Sequence, residues 1–84
     1  MSRKEKLYNK LHKVPPPTDF TWEELVTLMR QHNFSESCDG SSHYVFEHIT
    51  GYRFTMSKTH PSGLLKIYQV KRAREAIAAC KDRV

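Results

Sequence analysis

The sequence lacks any long run of apolar residues and has only two cysteines among its 84 residues. No stretch approaches the roughly 20 apolar residues that a helix needs to cross a bilayer, and the charged N-terminus is not followed by the apolar segment of a signal peptide. Cys38 and Cys80 are too few for the disulfide framework of a small secreted domain, and neither lies in a Cys-x-x-Cys pair. We therefore expect a soluble, cytoplasmic protein with reduced thiols and no membrane partner.

The sequence also lacks the spacings that are typical of metal centres and serine hydrolases. It contains no His-x-x-x-His pattern and no Gly-x-Ser-x-Gly elbow. His43 and His48 are five residues apart, so a strand would place them on opposite faces and they could not share one ion. Ser41 and Ser42 precede His43 directly and are better explained as part of a turn. We expect neither a metal nor a cofactor.

The basic residues are concentrated at the two ends of the chain. Residues 1–14 carry five Lys or Arg and one Glu, residues 15–51 carry one Arg and six acids, and residues 52–84 carry eight Lys or Arg and two acids. Basic segments of this kind suit the phosphates of RNA or DNA, but they are equally compatible with ordinary solvated helix faces. A chain of this length supports one small domain, so any activity must lie on the surface of a single core.

Residues 2–14 favour a helix with a narrow apolar stripe formed by Leu7, Leu11 and Val14, which could dock on the rest of the protein. Three prolines at 15–17 end that helix. We therefore predict an accessory helix and proline-rich linker at 1–17 and a domain at 18–84.

The clearest local signal is a helix start at Thr21. Its hydroxyl can cap the helix while Glu24 reaches back to the cap amide, a reciprocal arrangement called a capping box. The helix is predicted from residue 22 to about 32, ending where Asn33 takes the left-handed conformation. Its core-facing stripe comprises Trp22, Leu25, Val26, Leu28 and Met29.

Three β-like runs follow at 34–38, 43–49 and 52–57, with turns at 39–42 and 50–51. Alternation in the third run places Tyr52, Phe54 and Met56 on the core. The second run has apolar residues on both faces, so alternation does not decide which face is buried. A loop at 58–63 leads to a last helix at about 66–81. We expect its inner stripe to be Val70, Ala73, Ile77 and Cys80, and its outer residues to be Lys71, Arg72, Arg74 and Lys81.

This order predicts an α+β fold, α-β-β-β-α, in two layers. The sheet is three-stranded and antiparallel, both helices lie on one of its faces, and a short N-terminal helix is added. The other face of the sheet stays open for a ligand.

His43, at the head of the second run in a short basic chain, is the main candidate for chemistry. RNA is cut when a base removes the proton of a 2′-hydroxyl that then attacks the adjacent phosphate, and an imidazole can exchange that proton at cellular pH. Arg53, Lys58 and Lys66 are candidates to bind the phosphate.

His60 is a second catalytic or phosphate-binding candidate, or a turn residue before a proline. On spacing alone, a surface histidine without a role is the favoured interpretation of His43. The four tyrosines could stack on unpaired bases or pack in the hydrophobic core. They are Tyr8, Tyr44, Tyr52 and Tyr68.

Several short motifs follow one another in order over about residues 18–80. They are Phe20-Thr21-Trp22-Glu23-Glu24-Leu25, Asn33-Phe34, Gly40-Ser41-Ser42-His43, Phe46, His48, Gly51, Arg53 and the stretch 58–68. Together they resemble the HicA toxins of bacterial toxin–antitoxin pairs, although this chain has one serine more than the family's usual glycine-serine-histidine block.

The resemblance implies a fold like the double-stranded-RNA-binding domain and a metal-independent endoribonuclease that cleaves mRNA and so inhibits translation and growth. It assigns catalysis to His43. It also implies a HicB-type antitoxin as partner, which blocks the toxin, and promoter DNA as a ligand of the complex only. Two alternatives remain open: a non-catalytic RNA-binding module with the same basic surface, and a regulatory subunit of the same fold.

Overall fold

The computed structural model describes residues 3–38, 40, 42–58 and 63–80. The predicted turn residues Asp39 and Ser41, the loop residues 59–62 with His60, and Lys81 lie outside this part of the chain. The helices are α1 (Arg3–Leu11), α2 (Trp22–Gln31) and α3 (Ile67–Cys80); the strands are β1 (Phe34–Cys38), β2 (His43–His48) and β3 (Arg53–Ser57). None of the described helices is long and apolar enough to cross a membrane.

The strands form one antiparallel sheet in the order β1-β2-β3. Phe46 of β2 lies opposite Phe54 of β3, and these two residues are buried on the same face of the sheet. The buried face of β2, which the sequence did not decide, is therefore the face with Phe46 and His48. His43 and Glu47 are exposed on the opposite face. Because side chains alternate between the two faces along each strand, the same buried and exposed faces extend across all three strands.

All three helices contribute to a core on one face of the sheet, and residues on the other face are exposed or half-buried. The predicted two-layer α+β architecture and its α-β-β-β-α order are thus confirmed. The core consists of Leu11, Phe20, Trp22, Leu25, Leu28, Met29, Phe34, Phe46, Phe54, Met56, Leu65, Val70, Ala73, Ala76, Ile77 and Cys80.

The capping box at the start of α2 is present as predicted. The amide of Glu24 donates to the Thr21 hydroxyl over 3.1 Å, and the Thr21 amide donates to the Glu24 carboxylate over 3.0 Å. Lys10 of α1 donates to both oxygens of the same carboxylate, at 2.9 and 3.0 Å. At the other end, α2 stops at Gln31, one residue before the expected end, and Asn33 has a φ of 69°, the predicted left-handed conformation.

The Glu24 carboxylate should make stability depend on pH. Partial burial acts to raise its pKa, but hydrogen bonds from Thr21 and Lys10 and the Lys10 charge outweigh burial and hold the pKa below its ordinary value of 4.5. A depressed folded-state pKa stabilises the protein above the unfolded-state pKa, and this contribution is lost as the pH falls through the folded-state pKa. Because glutamine keeps the capping hydrogen bonds, Glu24→Gln should lower the unfolding free energy by about 0.3–1 kcal/mol at neutral pH.

Urea unfolding of both proteins across the acidic range measures this difference, which should shrink to zero at low pH. The carboxylate of Glu36 also has a lowered pKa, caused first by its hydrogen bond with Arg30, but it is present in both proteins and cancels. A difference that is independent of pH would contradict the assignment to the Glu24 charge.

The first helix is packed on the domain. Leu11 is fully buried in the common core, and Arg74 of α3 donates to the backbone oxygens of Leu11 and Lys13 at 2.9 and 2.7 Å. The expectation that Arg74 points outward is therefore wrong, because its guanidinium satisfies the carbonyls at the end of α1. Val14, the third residue of the predicted stripe, is 90% exposed, since the helix ends at Leu11. The boundary at residue 17 stays a prediction.

Candidate functional site

A cavity of about 390 Å³ lies where the edge strand β3 meets α3. It brings an imidazole, a guanidinium and a carboxylate to one surface, so it holds groups that can move a proton and a group that can bind an anion. Its lining comprises His43, Thr55, Met56 and Ser57 from the sheet and Tyr68, Gln69, Arg72 and Glu75 from α3.

His43 is the first residue of β2, and its partner across the ladder is Ser57, at the end of β3. The side chain is exposed on the sheet face opposite the three described helices. The amide of Lys58 donates to the Ser42 oxygen over 2.8 Å, which continues the ladder by one pair. This pairing brings the half-buried Lys58 to the same end of the sheet as His43.

Gln69 fixes the wall of the cavity. The Lys58 amide donates to the Ser42 oxygen and the His48 amide donates to the Tyr52 oxygen, so the even-numbered residues between 52 and 58 are those whose backbone bonds to β2. Ser57 is odd-numbered, and its carbonyl therefore points away from β2. The buried amide of Gln69 donates to that carbonyl over 2.9 Å and accepts from the Lys66 amide over 2.9 Å. One side chain therefore caps α3 and holds its first turn beside the end of β3.

The prediction that Arg72 lies on the outer face of the last helix is wrong. Its guanidinium carbon lies 5.2 Å from the centre of the Phe54 ring, and Nη1 donates to the Tyr52 hydroxyl over 3.4 Å. A planar guanidinium stacks on aromatic rings and remains able to donate to a phosphate. The spacing of Arg72 and Tyr68, one helical turn apart, is the sequence signal that could have identified a shared surface.

The structure separates Arg53 from His43. Arg53 lies opposite Glu47, whereas His43 lies opposite Ser57, so four residues of strand, about 13 Å, separate the two ends. In addition, Nη2 of Arg53 is 3.6 Å from a Glu47 carboxylate oxygen, which partly neutralises it. Lys66 is exposed just before α3 and does not line the cavity, and His60 lies outside the described residues.

His48 has a structural environment. It is buried on the covered face, its ring meets that of Phe34 at 4.9 Å, and its Nδ1 accepts from the Thr50 amide over 3.2 Å. It is therefore on the opposite face of β2 from His43, as the spacing predicted. Within the described residues, no group of three or more His, Cys, Asp or Glu side chains is arranged to hold a metal ion.

Similarity to known proteins does not add to this description. No family model, curated protein or solved structure matches this chain. The function is therefore inferred from the chemistry that the cavity brings together.

Proposed function

We propose that this chain is a metal-independent endoribonuclease that cleaves mRNA at the cavity between β3 and α3. One observation carries the proposal: His43, Arg72 and Glu75 line the same cavity. An imidazole and a carboxylate are side chains that serve as general bases and acids, and a guanidinium carries a permanent positive charge. A phosphodiester with a neighbouring 2′-hydroxyl is a substrate whose cleavage needs both proton transfer and a fixed positive charge.

The reaction is an internal transfer at phosphorus. A base removes the 2′-hydroxyl proton, the 2′-oxygen forms a bond to phosphorus, and the bond from phosphorus to the 5′-oxygen breaks. An acid returns a proton to that leaving oxygen, so the products are a 2′,3′-cyclic phosphate and a 5′-hydroxyl. His43 and Glu75 supply the two proton-exchanging groups, one as base and the other as acid.

Negative charge grows on the phosphate oxygens as the new bond forms. A cation that is already oriented stabilises this state more than the ground state and so raises the rate. Arg72 lines the cavity, and its guanidinium is oriented by contacts with Phe54 and Tyr52 outside the lining, so we assign this role to it among the described cations. Lys58 directly follows β3 at the end of the sheet where His43 lies, and we assign it a supporting contact to the phosphate.

The biological context of the proposal is a toxin–antitoxin pair. The motifs that resemble HicA toxins include His43 itself, and that resemblance suggests growth inhibition by mRNA cleavage. It further suggests a HicB-type antitoxin that binds the toxin and blocks it, with promoter DNA bound only by the complex. His43, Tyr68 and Glu75 are exposed residues of the cavity lining, so such a blocking partner could contact them.

The product chemistry tests the proposal. Purified protein incubated with end-labelled RNA in excess EDTA should give shorter fragments that end in 2′,3′-cyclic phosphate, because protein side chains supply both proton transfers. RNA whose riboses carry 2′-O-methyl groups is the matched control, and it should remain intact because it has no hydroxyl to attack.

Two results would contradict the proposal. A mobility shift that is sensitive to salt, without cleavage, would indicate the non-catalytic RNA-binding module instead. Cleavage that stops in EDTA, or that leaves 5′-phosphates and 3′-hydroxyls, would exclude the internal transfer.

A further inference from the structure

Four tyrosines were candidates to stack on bases, and the structure distinguishes one from the other three. Tyr8, Tyr44 and Tyr52 are half-buried and make ring contacts inside the domain, whereas Tyr68 is 66% exposed. The internal ring contacts, between ring centres, are Tyr8 to His12 at 4.2 Å, Tyr44 to Trp22 at 5.1 Å and Tyr52 to Phe34 at 6.4 Å. Tyr68 also lines the cavity that contains His43.

The surroundings of Tyr68 carry the charge that a nucleic acid requires. Arg72 follows one turn later on the same helix face, about 6 Å along the axis, and lines the same cavity. Lys71 is exposed three residues after Tyr68. Glu75 is the one acidic side chain among the described lining residues, and it lies a further turn away, beyond Arg72. An aromatic ring next to a guanidinium is the combination with which proteins hold a base and its phosphate.

We infer that Tyr68 forms a base-stacking subsite beside the His43 cavity and that this subsite restricts the protein to unpaired RNA. The inference rests on the proposed function in taking RNA as the ligand. Within an A-form duplex each base is stacked on both of its faces, so an external ring can stack only on a base that has left the helix. The ring of Tyr68 therefore contributes binding energy with single strands and none with duplexes.

The resemblance to HicA toxins, which implies a fold like the double-stranded-RNA-binding domain, would suggest the opposite preference. Domains of the double-stranded-RNA-binding type recognise duplexes by shape, through 2′-hydroxyl and phosphate contacts across the minor groove. That mode uses no exposed aromatic ring beside a cavity. A comparison of single-stranded with paired substrate therefore decides between the two modes of recognition.

The experiment uses the full chain and one labelled RNA, either alone or annealed to a 2′-O-methyl complement. Two variants separate the ring from its bulk: Tyr68→Leu removes the aromatic face and keeps apolar volume, while Tyr68→Phe keeps the ring. Ile67→Ala is the matched control, since Ile67 is also exposed, precedes Tyr68 and does not line the cavity.

We expect the intact chain to prefer the single strand. Tyr68→Leu should raise KM on that substrate by roughly 5- to 150-fold with kcat unchanged, which corresponds to the stacking of one base. Cleavage of the duplex should be unaffected, so the preference falls. Tyr68→Phe and Ile67→Ala should behave like the intact chain.

A binding measurement keeps this inference separate from the proposed activity. Fluorescence anisotropy with a 2′-O-methyl single strand, which cannot be cleaved by internal transfer, should show the same loss of affinity for Tyr68→Leu. If the intact chain does not cleave RNA but Tyr68→Leu still weakens this binding, the nuclease proposal fails and the subsite stands.

Two outcomes overturn the subsite. In the first, Tyr68→Leu binds and cleaves single strands as the intact chain does. In the second, it loses only the binding of a protein partner, which would make Tyr68 part of a protein interface.

Discussion

Replacement of His43 with alanine should lower the rate of RNA cleavage by about 10²–10⁴-fold, the usual contribution of a positioned acid or base. Growth arrest on expression should disappear with it. The free energy of unfolding should hardly change, because the side chain is exposed at the first residue of β2 and does not belong to the core. Cleavage rates, colony counts after induction and urea unfolding together measure the three effects.

His43→Gln provides the matched control for shape and polarity. Glutamine can accept and donate hydrogen bonds but cannot exchange a proton at neutral pH, so this variant should be folded and as inactive as His43→Ala. Undiminished cleavage or growth arrest in either variant would remove His43 from the proton transfer and leave Glu75 as the remaining candidate in the cavity. A loss of cleavage accompanied by unfolding would refute the assignment of a purely chemical role.

The elements of the fold were largely predictable because their signals are local. The capping box needs only Thr21 and Glu24, and the alternation in β3 needs only its own residues. The buried face of β2 was not predictable in this way, because both of its faces carry apolar side chains. It is decided by the register with β3, which places Phe46 against Phe54, and register depends on partners that are distant in the sequence.

The site was predictable only in part, for a related reason. Sequence spacing assigns a residue to a face of its strand or helix, but it does not say which helix passes which end of the sheet. Arg53 is on the expected face and yet lies at the far end of β3 from His43. Arg72 was assigned to solvent from its helical position, although its guanidinium contacts Phe54 of the edge strand β3 and the residue lines the cavity.

Leu11→Ala should lower the free energy of unfolding by about 2–5 kcal/mol, the cost of emptying a buried leucine site. Leu11 is fully buried between α1 and the rest of the core. Small domains are stable by only about 5–15 kcal/mol, so this single change removes a large share of the total. Thermal or urea unfolding of the full chain measures the loss.

The matched control is Val14→Ala, three residues along the predicted stripe. Its side chain is 90% exposed, so truncation should leave the unfolding free energy unchanged. If Leu11→Ala proves equally harmless, α1 is detached from the core in solution, and Arg74 and Lys10 do not hold it in place. A large loss of unfolding free energy for Leu11→Ala but not for Val14→Ala would instead show that α1 unfolds together with the rest of the protein. The cooperative unit would then begin before the proline segment, because Leu11, the last residue of α1, is part of the common core.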